Sequence, residues 1–455
     1  MRNLSKALNL TGAASAAALG ACAHYTPQPP APERFAAAYD ARTLTPPASG
    51  VWTDEALLAA AIANSGAIKQ AAAAYRTARA TATASRTPPP ISLLLVAEYS
   101  RDSGGTTPWL YSGLFDIPLD VGARRDTRVD TADLLALQAL YDYAEAIWMV
   151  RSALVHAHID RLAADRSVVL AQDAVRLRRD RADKLETRIR SGEDARPAGL
   201  TAQTDLAAAE RKLQDARNLR AQADAALAKT LGVAIPAVQV MVLQPLDDIV
   251  PSPAPPALAA GRQEASLRRR DVLRAVADYD VAEQALRLEV AKQVPDVHIG
   301  PGYTFERGEH KIPFDLTLVL PPRDLNRANI RAAEAKRAEA AAKLDAIQAA
   351  ILAAVDQSAS ALAGAKAGLD RAERQDLPLA RRADAAAARS LAAGELDRVD
   401  QDAAAAAVRD AELAQVDAWR AAWSAAADLQ DALRLPSPGE AAVLEAAVKT
   451  AGDLR

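Results

Sequence analysis

The clearest pattern in the chain is an alternation of apolar and more polar positions from Ile312 to Leu320. One face of this run would carry Ile312, Phe314, Leu316, Leu318 and Leu320, and the other Pro313, Asp315, Thr317 and Val319. Alternation over about ten residues is typical of a transmembrane β-strand, with apolar side chains toward lipid and more polar ones toward a lumen. The alternative is a half-buried sheet on a soluble core, because alternation alone is common.

This run completes a predicted hairpin at residues 296–321, whose turn contains Gly308. An earlier hairpin is predicted at residues 91–119, although its alternation is less regular because residues 93–96 are all apolar. Aromatic residues are scarce in the chain but gather in these two segments, as Tyr99, Trp109, Tyr111, Phe115, Tyr303, Phe305 and Phe314. Aromatic belts at the two edges of a membrane would explain this clustering.

A long helical stretch follows each hairpin. Residues 123–191 contain neither glycine nor proline, and a helix of that length spans on the order of 100 Å, far more than a bilayer. Its many Arg and Asp residues require water around it. A coiled-coil seam is predicted by apolar residues seven apart, at Val168, Val175, Ala182 and Ile189. A return helix is expected from about Ala198 to Leu231, ending at Gly232.

The second half follows the same plan with one difference. Its long stretch, residues 326–391, contains Pro378, which is expected to kink the helix. The turn is predicted at Gly394. The return helix is expected to end near Leu435, just before Pro436. A shorter helix precedes each hairpin, and the first should run from an N-cap at Thr53 to about Arg86.

Landmarks recur in the same order in both halves of the chain. The matching pairs include Ala56-Leu57 with Ala257-Leu258, Tyr99 with Tyr303, Pro118 with Pro321, Gly192-Glu193 with Gly394-Glu395, and Glu210 with Glu412. So many pairs in register indicate an internal duplication. We therefore assign a first repeat at 52–232, a Pro-rich linker at 233–256, a second repeat at 257–435 and a C-terminal tail at 436–455. The Pro-rich segments are either simple linkers or wrap the waist of the molecule.

Residues 1–21 have the pattern of a bacterial lipoprotein signal, with basic residues, a short apolar run and small residues before Cys22. Cys22 is the only cysteine, which excludes an internal disulfide. We expect a covalent lipid on Cys22, no other cofactor, and an anchored Pro-rich arm at 22–51. In Gram-negative lipoproteins an aspartate directly after the cysteine tends to retain the protein at the inner membrane. Ala23 at this position is therefore compatible with the outer membrane. The alternative is a buried free thiol.

Composition supports long helices rather than a thick core. Half of the 455 residues are hydrophobic, yet aromatics make up only 4%, and the apolar share is largely alanine, which favours closely packed helices. The net charge of -3 gives no reason to expect nucleic acid.

The predicted strands have a consequence for assembly. Four strands cannot close a barrel, and open strand edges in hydrocarbon leave backbone groups unpaired at several kcal/mol each. Several chains must therefore share one barrel if the hairpins cross a membrane. The predicted fold class is mainly α with a transmembrane β part: a long α-helical coiled-coil barrel continuous with a shared β-barrel, with two structural repeats per chain.

This order of elements resembles the TolC family of outer-membrane efflux factors. The matching residues lie along the mature chain, at 52–57 (WTDEAL), 117–125 (IPLDVGARR), 190–193 (RSGE), 227–232 (LAKTLG) and 295–303 (PDVHIGPGY). The resemblance implies an outer-membrane location, a homotrimer with a twelve-stranded barrel, and docking to a periplasmic adaptor and an inner-membrane pump, such as one of the RND type. It leaves open whether the chain resembles the branch of the family associated with heavy-metal and cation efflux or the branch associated with multidrug efflux.

One departure from the family is visible at the entry to the second long helix. Ala328 stands where many members have glycine. If that glycine took a positive φ, a different turn must serve here, with Asn326 as the candidate residue.

The resemblance also suggests functional residues. The two far turns would be periplasmic tips that dock the adaptor, with candidates Arg190, Ser191, Gly192, Glu193, Gly394 and Glu395. Similar family members narrow the tunnel at the second tip with rings of aspartate. Asp400 lies at the matching distance from the tip glycine and is the first candidate, and Asp397 is the second. The alternatives are solvated turns and a charged outer helix face. We expect the second tip to gate and the first half to form the straighter wall.

The implied function is a passive exit duct of a tripartite pump, opened and closed at the helical tip. The competing classes are a structural lipoprotein or a coiled-coil periplasmic adaptor. An adaptor usually places its helical hairpin between halves of a β-rich module, whereas here each β-hairpin lies inside a helical unit. An enzyme is disfavoured, since no Ser-His-Asp grouping, phosphate loop or HExxH motif is present. No metal site is expected either, because His156 and His158 point in different directions on a helix.

Overall fold

The computed structural model describes residues 25–101, 107–119, 123–246, 250–251, 254–306, 308–320, 324, 326–436 and 438–453. The chain divides into two units, Met1–Arg42 and Thr43–Arg455. The described part of the smaller unit has a 3₁₀ turn at Pro32–Arg34 and a short helix, α1 (Phe35–Asp40). The Arg42 guanidinium lies over the rings of Phe35 and Tyr39, at 5.6 and 5.2 Å from their centroids.

The larger unit contains all the remaining elements. Those of the first repeat are β1 (Val51–Trp52), α2 (Asp54–Asn64), α3 (Gly66–Ser85), β2 (Ser92–Tyr99), β3 (Trp109–Leu119), α4 (Arg124–Arg190) and α5 (Arg196–Leu231). The linker contributes α6 (Ile235–Gln239), β4 (Val242–Leu243) and the start of α7 (Pro255–Arg268). The rest are α8 (Arg270–Ala291), β5 (Asp296–Glu306), β6 (Glu309–Lys311), β7 (Phe314–Val319), α9 (Arg327–Arg371), α10 (Leu377–Ala392), α11 (Arg398–Leu433) and α12 (Pro438–Asp453).

The first short helix is capped as expected but is divided in two. The Thr53 hydroxyl accepts a hydrogen bond from the Ala56 amide at 3.2 Å. The sequence predicts one helix to about Arg86, whereas Ser65 has an extended backbone and separates α2 from α3. The chain here passes so close to Gly232 that a Cβ on that glycine would lie 2.7 Å from the Asn64 carbonyl oxygen. Arg269 makes the same kind of break between α7 and α8.

The first long helix, α4, has 67 residues, which corresponds to roughly 100 Å at 1.5 Å per residue. Of its predicted seam residues, Val175 and Ala182 are buried, and Val168 and Ile189 are half-buried. The return helix α5 packs along it and buries four alanines seven residues apart: Ala202, Ala209, Ala216 and Ala223. Since alanine is small, this heptad allows the two backbones to approach closely.

Pro378 is the second residue of α10. A π-helical turn at Ala372–Asp376 joins the end of α9 to the start of α10. A proline ring in a regular α-helix clashes with the carbonyl of the residue four positions earlier. A wider π turn at this point moves that carbonyl away. The structure thus has a π turn directly before the proline at which we expected a kink, and the kink itself stays a prediction.

The entry to α9 confirms the role proposed for Asn326. Asn326 has a φ of 61°, and its side-chain amide donates to the Glu289 carbonyl at 2.9 Å and to the Glu289 carboxylate at 2.7 Å. Ala328 sits inside the first turn of the helix. The left-handed residue has thus moved two positions, to a side chain that tolerates this conformation.

The end of the Pro-rich arm, from Thr43 onward, and described parts of the linker pack on the helical core of the larger unit. β1 pairs in parallel with β4, through Val51 with Val242 and Trp52 with Leu243. Trp52, Val238 and Leu243 belong to the same buried cluster as the helical core residues Leu58, Ile147, Leu154 and Leu231. These parts of the arm and linker are therefore fixed to the body rather than free connections.

The segment predicted only as a tail forms helix α12. Its residues Val443, Leu444 and Ala447 pack against the same buried cluster, which contains Trp52 and Ile147. The Glu440 carboxylate accepts two hydrogen bonds from the Arg151 guanidinium, at 2.9 and 2.8 Å. The two side chains are only 2% and 3% exposed, so a buried ion pair holds α12 to α4.

One helical stretch, Arg327–Ala392, contains a window apolar enough to cross a membrane by length and composition alone. Only 17% of that window is buried in the chain. The helix packs beside α8 and α11, which carry many charged residues. Its exposed apolar surface is therefore better suited to contact with another protein surface than with lipid.

The strands of both repeats form one five-stranded sheet in the order β2-β3-β5-β6, with β7 also paired to β5. β3 and β5 are antiparallel and join the two repeats, from Leu110 opposite Glu306 to Leu119 opposite Val297. The strand predicted from Ile312 to Leu320 is β7, which begins at Phe314, and a separate short strand, β6, precedes it. The two pair with successive parts of β5. Pro313 lies between them, and its carbonyl accepts a hydrogen bond from Gly302.

Candidate functional site

Both far turns have the same backbone geometry. The first helix of each pair ends before a glycine of positive φ, Gly192 at 81° and Gly394 at 74°. The next amide then bonds back into the helix, from Glu193 to the Arg188 carbonyl at 2.8 Å and from Glu395 to the Ser390 carbonyl at 2.9 Å. This is the common glycine C-cap of helices. The duplication therefore gives each chain two tips of one design.

The candidate docking residues lie on the surface of these turns. All six are exposed: Arg190, Ser191, Gly192, Glu193, Gly394 and Glu395. Arg190 pairs with Glu186 one turn earlier at 3.2 Å, and the Ser191 hydroxyl donates to the Glu193 carboxylate at 3.1 Å. Exposed pairs of this kind contribute little to stability, so these side chains are available to a partner.

Asp397 is the N-cap of α11. Its carboxylate accepts the Asp400 amide at 3.0 Å and also accepts a hydrogen bond from the Arg188 guanidinium. Arg188 lies in the last turn of α4, and its Nε is 2.7 Å from the Asp194 carboxylate. Arg188 therefore connects the first tip to the start of the second return helix.

The electrostatics of this pair favour its charged form. Partial burial acts to raise the pKa of Asp397, but the hydrogen bonds from the Asp400 amide and Arg188 outweigh it and lower the pKa below the ordinary carboxyl value. The hydrogen bond to Asp397 raises the pKa of Arg188. Both groups are therefore ionised at neutral pH.

The structure separates the two acids selected from the sequence. Asp400 is exposed in the first turn of α11, where a negative charge suits the helix N-terminus. No ion-pair partner is recorded for it within the described residues. Asp402, which sequence reasoning did not select, is buried at 5% exposure and pairs with Lys184 and, at 3.6 Å, with Arg398.

The Arg188–Asp397 pair is one step of a ladder between the repeats. Basic residues of α4 face acidic residues of α11, as Arg178 with Asp410, Lys184 with Asp402 and Arg188 with Asp397. Sequence reasoning missed the basic partners because they lie about 200 residues from their acids. If α4 and α11 are aligned antiparallel, with residues counted from Gly192 and Gly394, the basic residues of α4 fall at about the same distance from the tip as the acids of α11.

The sheet has two chemically different faces. Register places Val297 opposite Leu318 and Ile299 opposite Leu316, and Tyr111 opposite Phe305. The other strands extend this apolar face with Leu93, Leu95, Tyr99, Trp109, Phe115, Ile117, Leu119 and Phe314. No Asp, Glu, Lys or Arg lies on it among the described strand residues. The predicted lipid-facing residues belong to it or flank it, and all are exposed: Ile312, Phe314, Leu316, Leu318 and Leu320.

Known proteins share this architecture. Residues 57–233 match the sequence model of the outer membrane efflux protein family. A membrane protein from Pseudomonas aeruginosa has the same fold, with a TM-score of 0.71 and 19% identity over 84% of this chain and 90% of that chain. The resemblance to the TolC family is confirmed.

Other solved structures share the fold over most of the chain. The outer membrane protein VceC from Vibrio cholerae is similar with a TM-score of 0.66 and 18% identity, over 83% of this chain and 95% of that chain. The CmeC outer membrane channel of Campylobacter jejuni gives 0.71 and 12% identity, over 86% and 88%. No curated protein sequence matches. The predicted fold class, mainly α with long helices that continue into a β part, is confirmed.

VceC and CmeC are proteins of the outer membrane, which agrees with the expected location. Cys22 and the signal segment lie outside the described residues, so lipid attachment stays a prediction. Within the described part of the chain, no group of three or more His, Cys, Asp or Glu could hold a metal ion.

Proposed function

We propose that this chain is the outer-membrane exit duct of a tripartite efflux system and that it works as a homotrimer. The observation that carries the proposal is the two-faced sheet. Its apolar face suits lipid, whereas its other face carries charged and hydroxyl groups that need water. Among the described strands, the sheet ends at β2 on one side and at β6 and β7 on the other, and in a membrane those edges require strands from further copies.

The helical body supports the same assembly. α4 is several times longer than a bilayer is thick, and α9 exposes an alanine-rich surface that is mostly unburied in the single chain. Further copies of the chain would cover that surface and close the helices into a tube. The sheet and the tube together would form one continuous passage.

The tips are proposed to dock a periplasmic adaptor, which would connect the duct to an inner-membrane pump of the RND or a similar type. Two tips of one design per chain would give six similar turns in a trimer. An adaptor that reads one turn could then bind repeatedly around the ring. In this arrangement the pump supplies the energy, and the chain itself acts as a passive duct.

The proposed gate lies at the second tip. The bond between Arg188 and Asp397 holds the start of α11 against the end of α4, and Asp400 adds a negative charge nearby. If α11 moves away from α4 during opening, this tip latch, Arg188 with Asp397, must break first. The first half has no equivalent cluster of acids after its tip glycine, which fits its proposed role as the straighter wall.

The decisive experiment is purification from outer membranes followed by recording in planar bilayers. We expect a heat-resistant trimer that conducts. Leu316→Arg, on the apolar face, should prevent insertion, whereas Thr317→Arg, on the polar face of the same strand, should still yield a channel. A soluble monomer without conductance, or equal tolerance of both substitutions, would overturn the proposal.

The lipid anchor is proposed separately, from the residues before Cys22 alone. Mass spectrometry of the mature chain should show an acylated N-terminal Cys22. Cys22→Ser should lose the acyl mass and any label from radioactive palmitate. Full-length unmodified protein in the wild type would contradict the anchor without affecting the duct.

A further inference from the structure

The polar face of the sheet carries an unbalanced set of charges. The residues that register places on this face include Glu98, Ser112, Asp116, His298, Thr304, Glu306, Asp315 and Thr317. Ser112 and Thr304 share a hydrogen bond at 2.9 Å across the strands, which confirms that these side chains point the same way. All the Asp and Glu side chains of the described strands lie on this face.

Some of these acids are neutralised at the two ends of the sheet. Asp296 pairs with Arg124 where the strands meet the helices. Lys311 pairs with Glu306 at 2.7 Å and lies 3.7 Å from Glu309 at the opposite end. Between these ends, no described strand residue on the polar face is Lys or Arg.

The middle of the face holds two carboxylates at one level. Asp315 is directly opposite Gly300 on β5. Asp116 lies opposite the same glycine on the other side, because Ile117 pairs with Ile299 and Leu114 with Gly302. A Cβ at position 300 would lie 3.1 Å from the Asp315 Cβ and 3.0 Å from the Phe115 carbonyl oxygen. The glycine therefore leaves the space between the two acids free of any side chain.

His298 lies two residues along β5 on the same face, opposite Pro118 and Thr317, and is the nearest basic residue by register within the described strands. Its imidazole contacts the Asp116 carboxylate, with Nδ1 at 2.9 Å from Oδ1. No partner is recorded for Asp315 in the described part of the chain. Two carboxylates outnumber one imidazole here, so this part of the face has an excess of acidic groups in each copy of the chain.

We propose that Asp116, Asp315 and His298 form a charge-selecting band inside the barrel that favours cationic permeants, at a place distinct from the helical tip. This inference rests on the proposed shared barrel. Each copy would contribute its two carboxylates at the same depth, so the band would form a closed ring of negative charge. Low-dielectric walls concentrate the field of such a ring in the lumen and enrich cations there.

Reversal potentials in asymmetric KCl test the band with the full-length chain in planar bilayers. The wild type should prefer K⁺ over Cl⁻. The near-isosteric variant Asp116→Asn/Asp315→Asn should lower that permeability ratio at least about twofold, and His298→Lys should also lower it. Thr317→Ser, on the same face and strand, should leave the ratio unchanged.

The outcomes separate this inference from the proposed function. A wild type that conducts without cation preference overturns the band, as does a double Asn variant with the wild-type ratio. Asp400→Asn serves as the comparison for the tip: if it alone removes the preference, selection resides at the tip and the band is wrong. Absence of any wild-type conductance would instead overturn the duct itself.

Discussion

At the residue scale, Asp397 has two tasks that substitution can separate. Asparagine is as good an N-cap as aspartate, so Asp397→Asn keeps the bond from the Asp400 amide but loses the charge that holds Arg188. We expect larger single-channel conductance because the tip latch weakens. The Asp400 amide bonds to Asp397, but its carboxylate has no ion-pair partner among the described residues. Asp400→Asn should therefore alter conductance only through the charge at the aperture.

A double-mutant cycle shows whether the latch is one interaction. Arg188→Gln should raise conductance as Asp397→Asn does, and the combined variant should add little, because both changes remove the same bond. Additive increases would mean that the two residues act separately. Unchanged conductance in all of these variants would contradict a gate at the second tip.

The lowered pKa of Asp397 gives a pH dependence with a defined sign. A carboxyl whose pKa is depressed in the folded state stabilises that state above its unfolded pKa, and the contribution is lost as the pH falls through the folded pKa. The latch should therefore hold at neutral pH and weaken below about pH 4, the ordinary carboxyl range. Conductance of the wild type should rise there toward that of Asp397→Asn, with the variant itself changing less.

Local chemistry explains which residue roles were predictable. Thr53, Gly232 and the two tip glycines follow helix-capping rules that depend on a few neighbouring residues. Asn326 followed from the loss of a glycine two positions away. The bond between Arg188 and Asp397 could not be predicted in this way, because it depends on how two distant helices align.

At the element scale, the buried pair Arg151–Glu440 makes helix α12 part of the body. Glu440→Leu would leave the Arg151 charge buried without its partner, which typically costs about 3–5 kcal/mol. We expect a lower dissociation temperature of the heat-resistant trimer. Arg151→Met/Glu440→Leu should recover most of that loss, because two apolar side chains can replace a buried ion pair.

A different outcome would change the assignment of α12. If Glu440→Leu and the double variant dissociate at the wild-type temperature, the helix is a dispensable tail. Circular dichroism at low temperature provides the control that each variant folds. The arginine also lies 5.0 Å from the centroid of the Trp148 ring, so a fluorescence change at that tryptophan would report the loss of the pair directly.

The long elements were predictable because their patterns are strong. Heptad spacing and the absence of proline and glycine predicted α4 closely, and the capping Gly232 predicted the end of α5. The break at Ser65 was missed because its cause is the close approach of Gly232 in another part of the chain. Helix α12 was missed because a short C-terminal segment gains most of its stability from packing, which local propensity does not contain.

At the scale of the whole molecule, the exposed alanines of α9 should mark the contact between copies. Ala346, Ala350 and Ala353 are exposed in the single chain and recur at helical spacing on one side. Ala350→Trp should block trimer formation by preventing close helix packing, while Ala350→Ser should assemble normally. Cross-linking and native electrophoresis would show the difference. If Ala350→Trp still forms a normal trimer, the contact between copies lies elsewhere.

The pairing of β3 with β5 has a genetic consequence. It makes one sheet from both repeats and, among the described strands, leaves one edge from each repeat: β2 from the first, and β6 with β7 from the second. Each copy must then pair one edge with one neighbouring copy and its other edge with the next. The ring therefore closes only when both edges of every copy are intact. With equal amounts of sound and edge-defective chains mixing at random, only about one trimer in eight would be built wholly from sound copies. A lesion in β7 should therefore be dominant in a cell that carries both alleles.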